Sequence, residues 1–439
     1  MSKLAINGGA PVRSTPFPRY NTIGDEEKRA VEKVLDGGVL SGFLGTWSPA
    51  FYGGSQVQQL EREWAQYFGV KHAVAVNSAT SGLYAAVGAA RVGPGDEVIV
   101  SPYTMTASAS AAIVYGAIPV FADIDEETFC ITPETIRAKL SPYTKAIIVV
   151  DLLGHAAEMD GIMEIAREHN LVVIEDAAQV PGGTYHGRYT GTLAHMGVFS
   201  LNYHKTIHTG EGGVIVTDDP DFADRLALIR NHGEVVVKDK GTSDIVNLVG
   251  FNYRMTEIEA AIGIEQLKRL PSLHPPRVRN AEYLNERLSG FPGLKTPVTR
   301  DGVVHGYYRY ALRFDENAVG ILRNTFVDAL NAEGIPMVKG YTEPLYLEPM
   351  YQRRIAFGRD GFPWSYSGWK GTVDYSKGSC PVIERMFYRE LMCTDVIHAQ
   401  VTQDDLEDVI RAFEKIYENL DELRTADNRS SALPVAGSR

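Results

Sequence analysis

Three cysteines in 439 residues, Cys130, Cys380 and Cys393, are too few, too scattered and odd in number for a disulfide framework or a closed zinc site. No metal is expected, and a reducing cytoplasm is the expected compartment. Positive charge is also in deficit. With 43 Lys and Arg against 55 Asp and Glu, the formal net charge of −12 leaves no clustered cations to neutralise nucleic-acid phosphates over an extended surface. Apolar runs stop short of membrane-crossing length, and the opening stretch MSKLAINGGAPVRSTPF places Gly, Pro and Arg where a secretory signal needs an uninterrupted apolar run. Neither a nucleic-acid partner nor a membrane is expected. The chain contains no internal repeat, and no G-x-G-x-x-G turn follows a strand, which argues against a nicotinamide-dependent dehydrogenase.

What is present fits a soluble globular protein: 44% hydrophobic, 10% aromatic and 22% charged residues, in a length suited to two domains sharing an interface. Seven short apolar runs read as strands: HAVAVNS from His72, EVIVSP from Glu97, PVFADI from Pro119, AIIVVDL from Ala146, LVVIEDAA from Leu171, VFSLN from Val198 and GVIVTD from Gly213. Several are unbroken Val/Ile runs, as a sheet covered on both faces requires. Amphipathic segments lie between them, with Thr132 and Pro133 reading as an N-cap and first helical residue.

The fold class is therefore α/β: a seven-stranded, mostly parallel sheet flanked by helices, followed by a smaller C-terminal α+β domain. The expected division is an N-terminal arm over 1–30, a large domain over 31–272, a small domain over 273–425 and a flexible tail over 426–439. A long helical region after GVIVTD is expected to close at Pro271. The Tyr-, Trp-, Gly- and Arg-rich stretch from Glu343 to Gly378 reads as an irregular insertion, the kind of loop that more often walls a site than builds scaffold.

Three strand ends carry candidate chemistry. LVVIEDAAQ ends in Asp176 and Gln179, at the carboxyl end of a buried strand where open α/β sheets bind ligands; a helix N-cap or a salt-bridged loop acid is the plainer alternative for Asp176. In VFSLNYHKTIHTGEGGVIV, Lys205 lies between two buried strands and beside glycines. A lone lysine is ordinarily a solvated cation, but burial there lowers its pKa and readies it for Schiff-base chemistry. VNSATSGLYAAV presents the amides of Ser78, Ala79 and Thr80 at a helix N-terminus, which either binds phosphate or is an ordinary cap. Tyr103, after EVIVSP, either packs internally or lays a ring against a flat cofactor. A lysine, an anion pocket, a carboxylate and a stacking surface are together what an aldehyde-bearing pyridine phosphate needs.

With these pieces the chain resembles the DegT/DnrJ-type (StrS-like) sugar aminotransferases of the aspartate-aminotransferase fold, fold type I. The resemblance rests on EDAAQ, on the K-x4-GEGG unit at Lys205, on NSATSGL and on GFNYRMTEIEAAIG from Gly250 to Gly263. It implies pyridoxal 5'-phosphate held as an internal aldimine on Lys205, which also shuttles the proton. Asp176 would pair with the ring nitrogen, Tyr103 would stack, Gln179 would approach the phenolic oxygen, and Ala79, Thr80 and Ser200 would hold the phosphate. Asn252 would reach the phosphate of a neighbouring subunit, implying a homodimer or higher homo-oligomer.

By the same resemblance the reaction moves an amino group from glutamate or glutamine to a keto-sugar or keto-cyclitol, with Arg230 and Arg254 as candidates for the donor carboxylate. The Tyr341–Trp369 stretch resembles the loops of the keto-cyclitol branch. Asp151 stands where relatives commonly carry His. Related sugar dehydratases carry His in place of the lysine, so with Lys205 in place and His204 as a wall residue, dehydration is the alternative chemistry. A cofactor-bound regulator without catalysis is the alternative outside enzymology.

Overall fold

The computed structural model describes residues 3–424, so the tail expected over 426–439 lies outside the described residues. All seven apolar runs form strands of one sheet: β1 (His72–Val76), β2 (Glu97–Val100), β3 (Ile118–Phe121), β4 (Thr144–Val150), β5 (Val172–Asp176), β6 (Met196–Ser200) and β7 (Gly213–Thr217). Their order is β1-β7-β6-β5-β4-β2-β3, parallel from β6 through β3, with β7 antiparallel to both its neighbours.

Alternate side chains of each strand enter different cores, as a period of two requires. Val74, Val76, Val198 and Ile215 face one cluster, while Ala75, Phe199, Val214 and Val216 face the other with Trp64 and Phe68 of the Ser55–Phe68 helix. The Ala79–Ala89 helix is buried on nearly every side, which explains its Ala/Gly composition: a Cβ on Gly82 would sit 2.9 Å from Val198 Cγ1. Thr132 caps the helix beginning at Pro133 through a reciprocal bond pair with Thr135, as its sequence predicts.

The C-terminal part builds a four-stranded antiparallel sheet from β8 (Leu294–Lys295), β9 (Tyr310–Phe314), β10 (Val338–Lys339) and β11 (Leu391–Thr394), in the order β8-β9-β11-β10. A separate apolar cluster packs it against the Arg323–Ala332 and Gln403–Glu418 helices and takes in Leu4 from the N-terminal segment.

Two expectations are corrected. The helical region after β7 is not one element closing at Pro271 but is broken into the helices Pro220–Arg230 and Glu257–Leu288 with a short one, Val237–Lys240, between them, and the last continues through Pro271, Pro275 and Pro276. An interior proline costs a helix roughly 3 kcal/mol. Here burial at both ends outweighs it: Leu267 and Leu270 enter a core of the seven-stranded sheet, while Ala281, Leu284 and Leu288 enter the C-terminal cluster. The boundary expected between 272 and 273 thus falls inside a single helix.

The 343–378 stretch, in turn, is largely scaffold. Trp369 Nε1 donates to Glu97 Oε1 at 2.8 Å, Tyr375 Oη donates to the Pro119 carbonyl at 2.6 Å, and Trp364 Nε1 donates to Tyr375 Oη at 3.1 Å. These aromatics cover the β2–β3 edge, whose unpaired backbone otherwise invites association.

Candidate functional site

Sheet order brings distant motifs together. Gly213, the first residue of antiparallel β7, pairs with Val76 at the end of β1 on one side and with Ser200 at the end of β6 on the other. The Ser-Ala-Thr turn after β1 and the lysine loop after β6 therefore lie two strand spacings apart, about 10 Å. Asp176 ends β5, the next strand over, paired to Val198 of β6. A side chain on Gly213 would collide with the Ala79 amide nitrogen at 2.7 Å, so glycine is what lets the helix start seat on the sheet.

Asp176 is buried and oriented. Ser108 Oγ donates to its Oδ2 at 2.8 Å and the Ala178 amide donates to Oδ1 at 3.2 Å. Burial pushes its pKa up, opposed by those two donors and by the charge of Lys205. Lys205, 8% exposed, is held in its loop by its amide donating to the Asn202 carbonyl at 2.9 Å, with Nζ 4.4 Å from the centre of the Tyr308 ring. Its pKa is lowered to about 8, chiefly by burial, with Asp176 acting against the shift and Arg309 with it. The amine and the carboxylate are thus both buried and close enough for each charge to act on the other.

Other sequence-predicted residues surround this pair. Gln179 is buried and fixed at both ends: its Oε1 accepts from the Leu153 amide at 2.8 Å and its Nε2 donates to Tyr341 Oη at 3.0 Å. Ser78 caps the Ala79–Ala89 helix, its Oγ accepting from the Ser81 amide at 3.1 Å, while Thr80 on the first turn is exposed. Ser200 is buried at the end of β6. Asn252 has an exposed side chain, and its carbonyl accepts from Asn77 Nδ2 at 3.3 Å beside the turn. Beneath the site Asp151 and Glu175 are fully buried against each other. Each keeps one oxygen without a hydrogen-bond partner, and burial followed by the Glu175 charge pushes Asp151 up.

Two sequence-predicted residues are placed differently. Tyr103 is 0% exposed and edge-on to Tyr341, with ring centres 5.9 Å apart, so it offers no open face for stacking. An open apolar side chain on that loop is Met105, 61% exposed, three residues before the Ser108 that bonds Asp176. Arg230 is 1% exposed and committed to structure: it pairs with Glu61 and donates to the Ala75 carbonyl at 2.9 Å. A guanidinium so consumed is not free to clasp a donor carboxylate. Arg254 bridges to Val76 and donates to Asn231 Oδ1 at 3.0 Å, beside the end of β1.

Sequence reasoning missed Ser108, Tyr308, Arg309 and Tyr341. The last three come from the C-terminal part; the charged residue breaking the aromatic run at the start of YYRYALRFD, just before β9, is a signal for Tyr308 and Arg309 but not for Tyr341.

The profile of the DegT/DnrJ/EryC1/StrS aminotransferase family matches residues 21–367. The chain is 34% identical over 405 residues to the spore coat polysaccharide biosynthesis protein SpsC of Bacillus subtilis (strain 168), covering 91% of this chain and 96% of that one. It is 35% identical over 430 residues to the L-glutamine:2-deoxy-scyllo-inosose aminotransferase of Streptomyces lividus, covering 94% and 97%. Among solved structures, an aminotransferase from Psychrobacter cryohalolentis superposes with a TM-score of 0.78 at 30% identity, over 92% of this chain and 100% of that one. With a matched profile and full-length relatives of this kind, the chain belongs to the DegT/DnrJ/EryC1/StrS aminotransferase family.

Proposed function

We propose that this aminotransferase uses pyridoxal 5'-phosphate to move an amino group from glutamate or glutamine to a keto-sugar or keto-cyclitol, in a cytoplasmic homodimer or larger homo-oligomer. The observation that carries the reading is the buried amine of Lys205 within electrostatic reach of the buried carboxylate of Asp176. The residues fit the cofactor's charges. The helix N-terminus at Ser78, Ala79 and Thr80 offers unpaired amides to a phosphate, with Ser200 close by across Gly213.

When bound, the cofactor supplies an electrophilic carbonyl carbon and an electron-accepting pyridine ring. Asp176, held by Ser108 and Ala178, keeps a proton on the ring nitrogen. Lys205, with its pKa lowered to about 8, is neutral in roughly a tenth to a fifth of molecules near physiological pH, far more than an ordinary lysine, and so would bond the cofactor's carbonyl carbon and carry the substrate's proton. Gln179, locked between Leu153 and Tyr341, presents its amide to the phenolic oxygen. Asn252, exposed on one protomer, reaches the phosphate held by its partner. In place of Tyr103, Met105 covers the ring.

The acceptor class is supported by the Streptomyces lividus relative, whose name specifies a keto-cyclitol and glutamine. Purified protein should show a visible absorption band that borohydride abolishes, and glutamate or glutamine should convert it. The aminated form should then be discharged by a member of a panel of keto-cyclitols and nucleotide-linked keto-sugars. Cofactor that never attaches to Lys205 would overturn the reading.

A further inference from the structure

With Arg230 committed to Glu61, the donor carboxylate lacks an anchor, and the strongest unabsorbed feature near Lys205 is Arg309. It stands immediately before β9, half-buried, with its guanidinium carbon 5.9 Å from the Tyr308 ring centre and 6.0 Å from that of Tyr341. Tyr308 is the ring that also carries the Lys205 amine, and Tyr341 is the one bonded to Gln179. Among the described residues no carboxylate forms an ion pair with Arg309, which bonds the neutral Tyr308 side chain, whereas Arg230 and Arg313 pair with carboxylates. Its Nε is buried and lacks a hydrogen-bond partner.

A guanidinium placed this way is costly without an anion, because buried donors are normally satisfied and buried cations paired. Asp176 does not serve: no ion pair or hydrogen bond joins it to Arg309, and its bonds run to Ser108 and Ala178. The missing partner must come with a ligand. It must also lie close to the atom that exchanges with Lys205, because both cations share the Tyr308 ring. An α-amino acid meets this demand, since its carboxylate is one carbon away from the carbon bearing the reacting amine.

We propose that Arg309 is the anchor for the α-carboxylate of the amino-acid donor, with Tyr308 and Tyr341 fixing the plane of its guanidinium fork. The assignment rests on the aminotransferase reading above and adds to it the residue that selects an amino acid as donor. Arg309 also acts on Lys205 directly: its positive charge works with burial to lower the lysine's pKa, and a bound carboxylate cancels that effect. Donor binding thereby raises the basicity of Lys205.

The test compares holoenzyme with Arg309→Gln and Arg309→Lys. Glutarate, an unreactive dicarboxylate, is titrated calorimetrically, and the glutamate half-reaction is followed in single turnovers. Arg309→Gln should weaken glutarate and glutamate on the order of 10- to 100-fold. Arg309→Lys should recover part of this, and neither variant should weaken the binding of an uncharged keto-cyclitol to the aminated enzyme by a comparable factor. In the cofactor-free protein, the pKa of Lys205 should be higher in Arg309→Gln than in the wild type.

Unchanged glutarate affinity in Arg309→Gln, or a wild type that binds no glutarate, overturns the proposal. Loss confined to a nucleoside diphosphate overturns it as well, by assigning Arg309 to an acceptor phosphate. Should the wild type form no lysine-linked cofactor band, the aminotransferase reading fails on that ground, and the glutarate comparison still decides Arg309.

Discussion

Burying Lys205 destabilises the cofactor-free protein, and the size of the effect follows from its titration. The amine's pKa falls from its ordinary 10.5 to about 8, a net shift that already contains the attraction of Asp176. A base whose folded pKa is lowered binds its proton less tightly in the folded state. The cost is therefore fully present below pH 8, shrinks as pH rises between 8 and 10.5, and is gone above that range. From linkage the cost is about 3 kcal/mol at pH 7, about 2 kcal/mol at pH 9 and about 1 kcal/mol at pH 10.

Lys205→Met replaces the amine with an unbranched apolar chain of similar length beside Tyr308 and so removes the penalty. Urea unfolding of the apo-protein at pH 7 and pH 10, wild type against variant, measures the difference. The variant should be the more stable at pH 7, and the gap should shrink by roughly 2 kcal/mol at pH 10. A gap that does not change with pH, or a less stable variant at pH 7, would refute the account of Lys205 as a desolvated amine.

Asp176→Asn keeps the shape but loses the charge that holds the ring proton, and turnover should drop at least about 100-fold in a steady-state assay; a rate near wild type would place that role on another acid. Arg230→Met leaves Glu61 buried without its cation, so stability should fall by about 3–5 kcal/mol in urea, with donor saturation unchanged in whatever folds. A selective loss of donor affinity would return Arg230 to the substrate. Trp369→Phe deletes the donor to Glu97 and should cost about 1–3 kcal/mol of stability without altering the acceptor KM, whereas a changed KM would restore the insertion as a site wall.

What was legible in the sequence is what local pattern encodes. Short apolar runs, several of them unbroken Val/Ile, mark all seven strands because a doubly covered sheet leaves no polar face to interrupt them. Asp176 and Lys205 could be singled out because each follows such a run, where side chains turn from the core toward the ligand edge. Tyr103 follows a run too, yet it is buried, because a strand-end position does not say whether a ring points into the cleft or under it. Pro271 reads as a stop by local sterics, and only the two cores gripping either half of the Glu257–Leu288 helix overrule that reading. Arg230 and Arg309 look alike in sequence. Glu61 decides between them, and it lies 169 positions away from Arg230.

The reversed direction of β7 also explains why Lys205 is held firmly enough to act. Had β7 run parallel to β6, the chain would have needed a crossover at least a dozen residues long, ordinarily helical, carrying it to the far edge of the sheet. Because β7 is antiparallel, the segment 201–212 leaves and re-enters at the same edge. It is closed by the Leu201 amide donating to the Gly212 carbonyl and the Thr209 amide donating to the Leu201 carbonyl, each at 2.9 Å. Gly212, at φ +156°, lies beneath Met255, where a Cβ would meet the Met255 methyl at 3.0 Å, so the loop is pressed onto the Gly250–Gly263 segment. Lys205 is thereby fixed at its backbone while its side chain spans a buried gap to Tyr308. Motion of the amine is left to side-chain torsions, which is the freedom a group needs to move a proton between two nearby atoms without unfolding its loop.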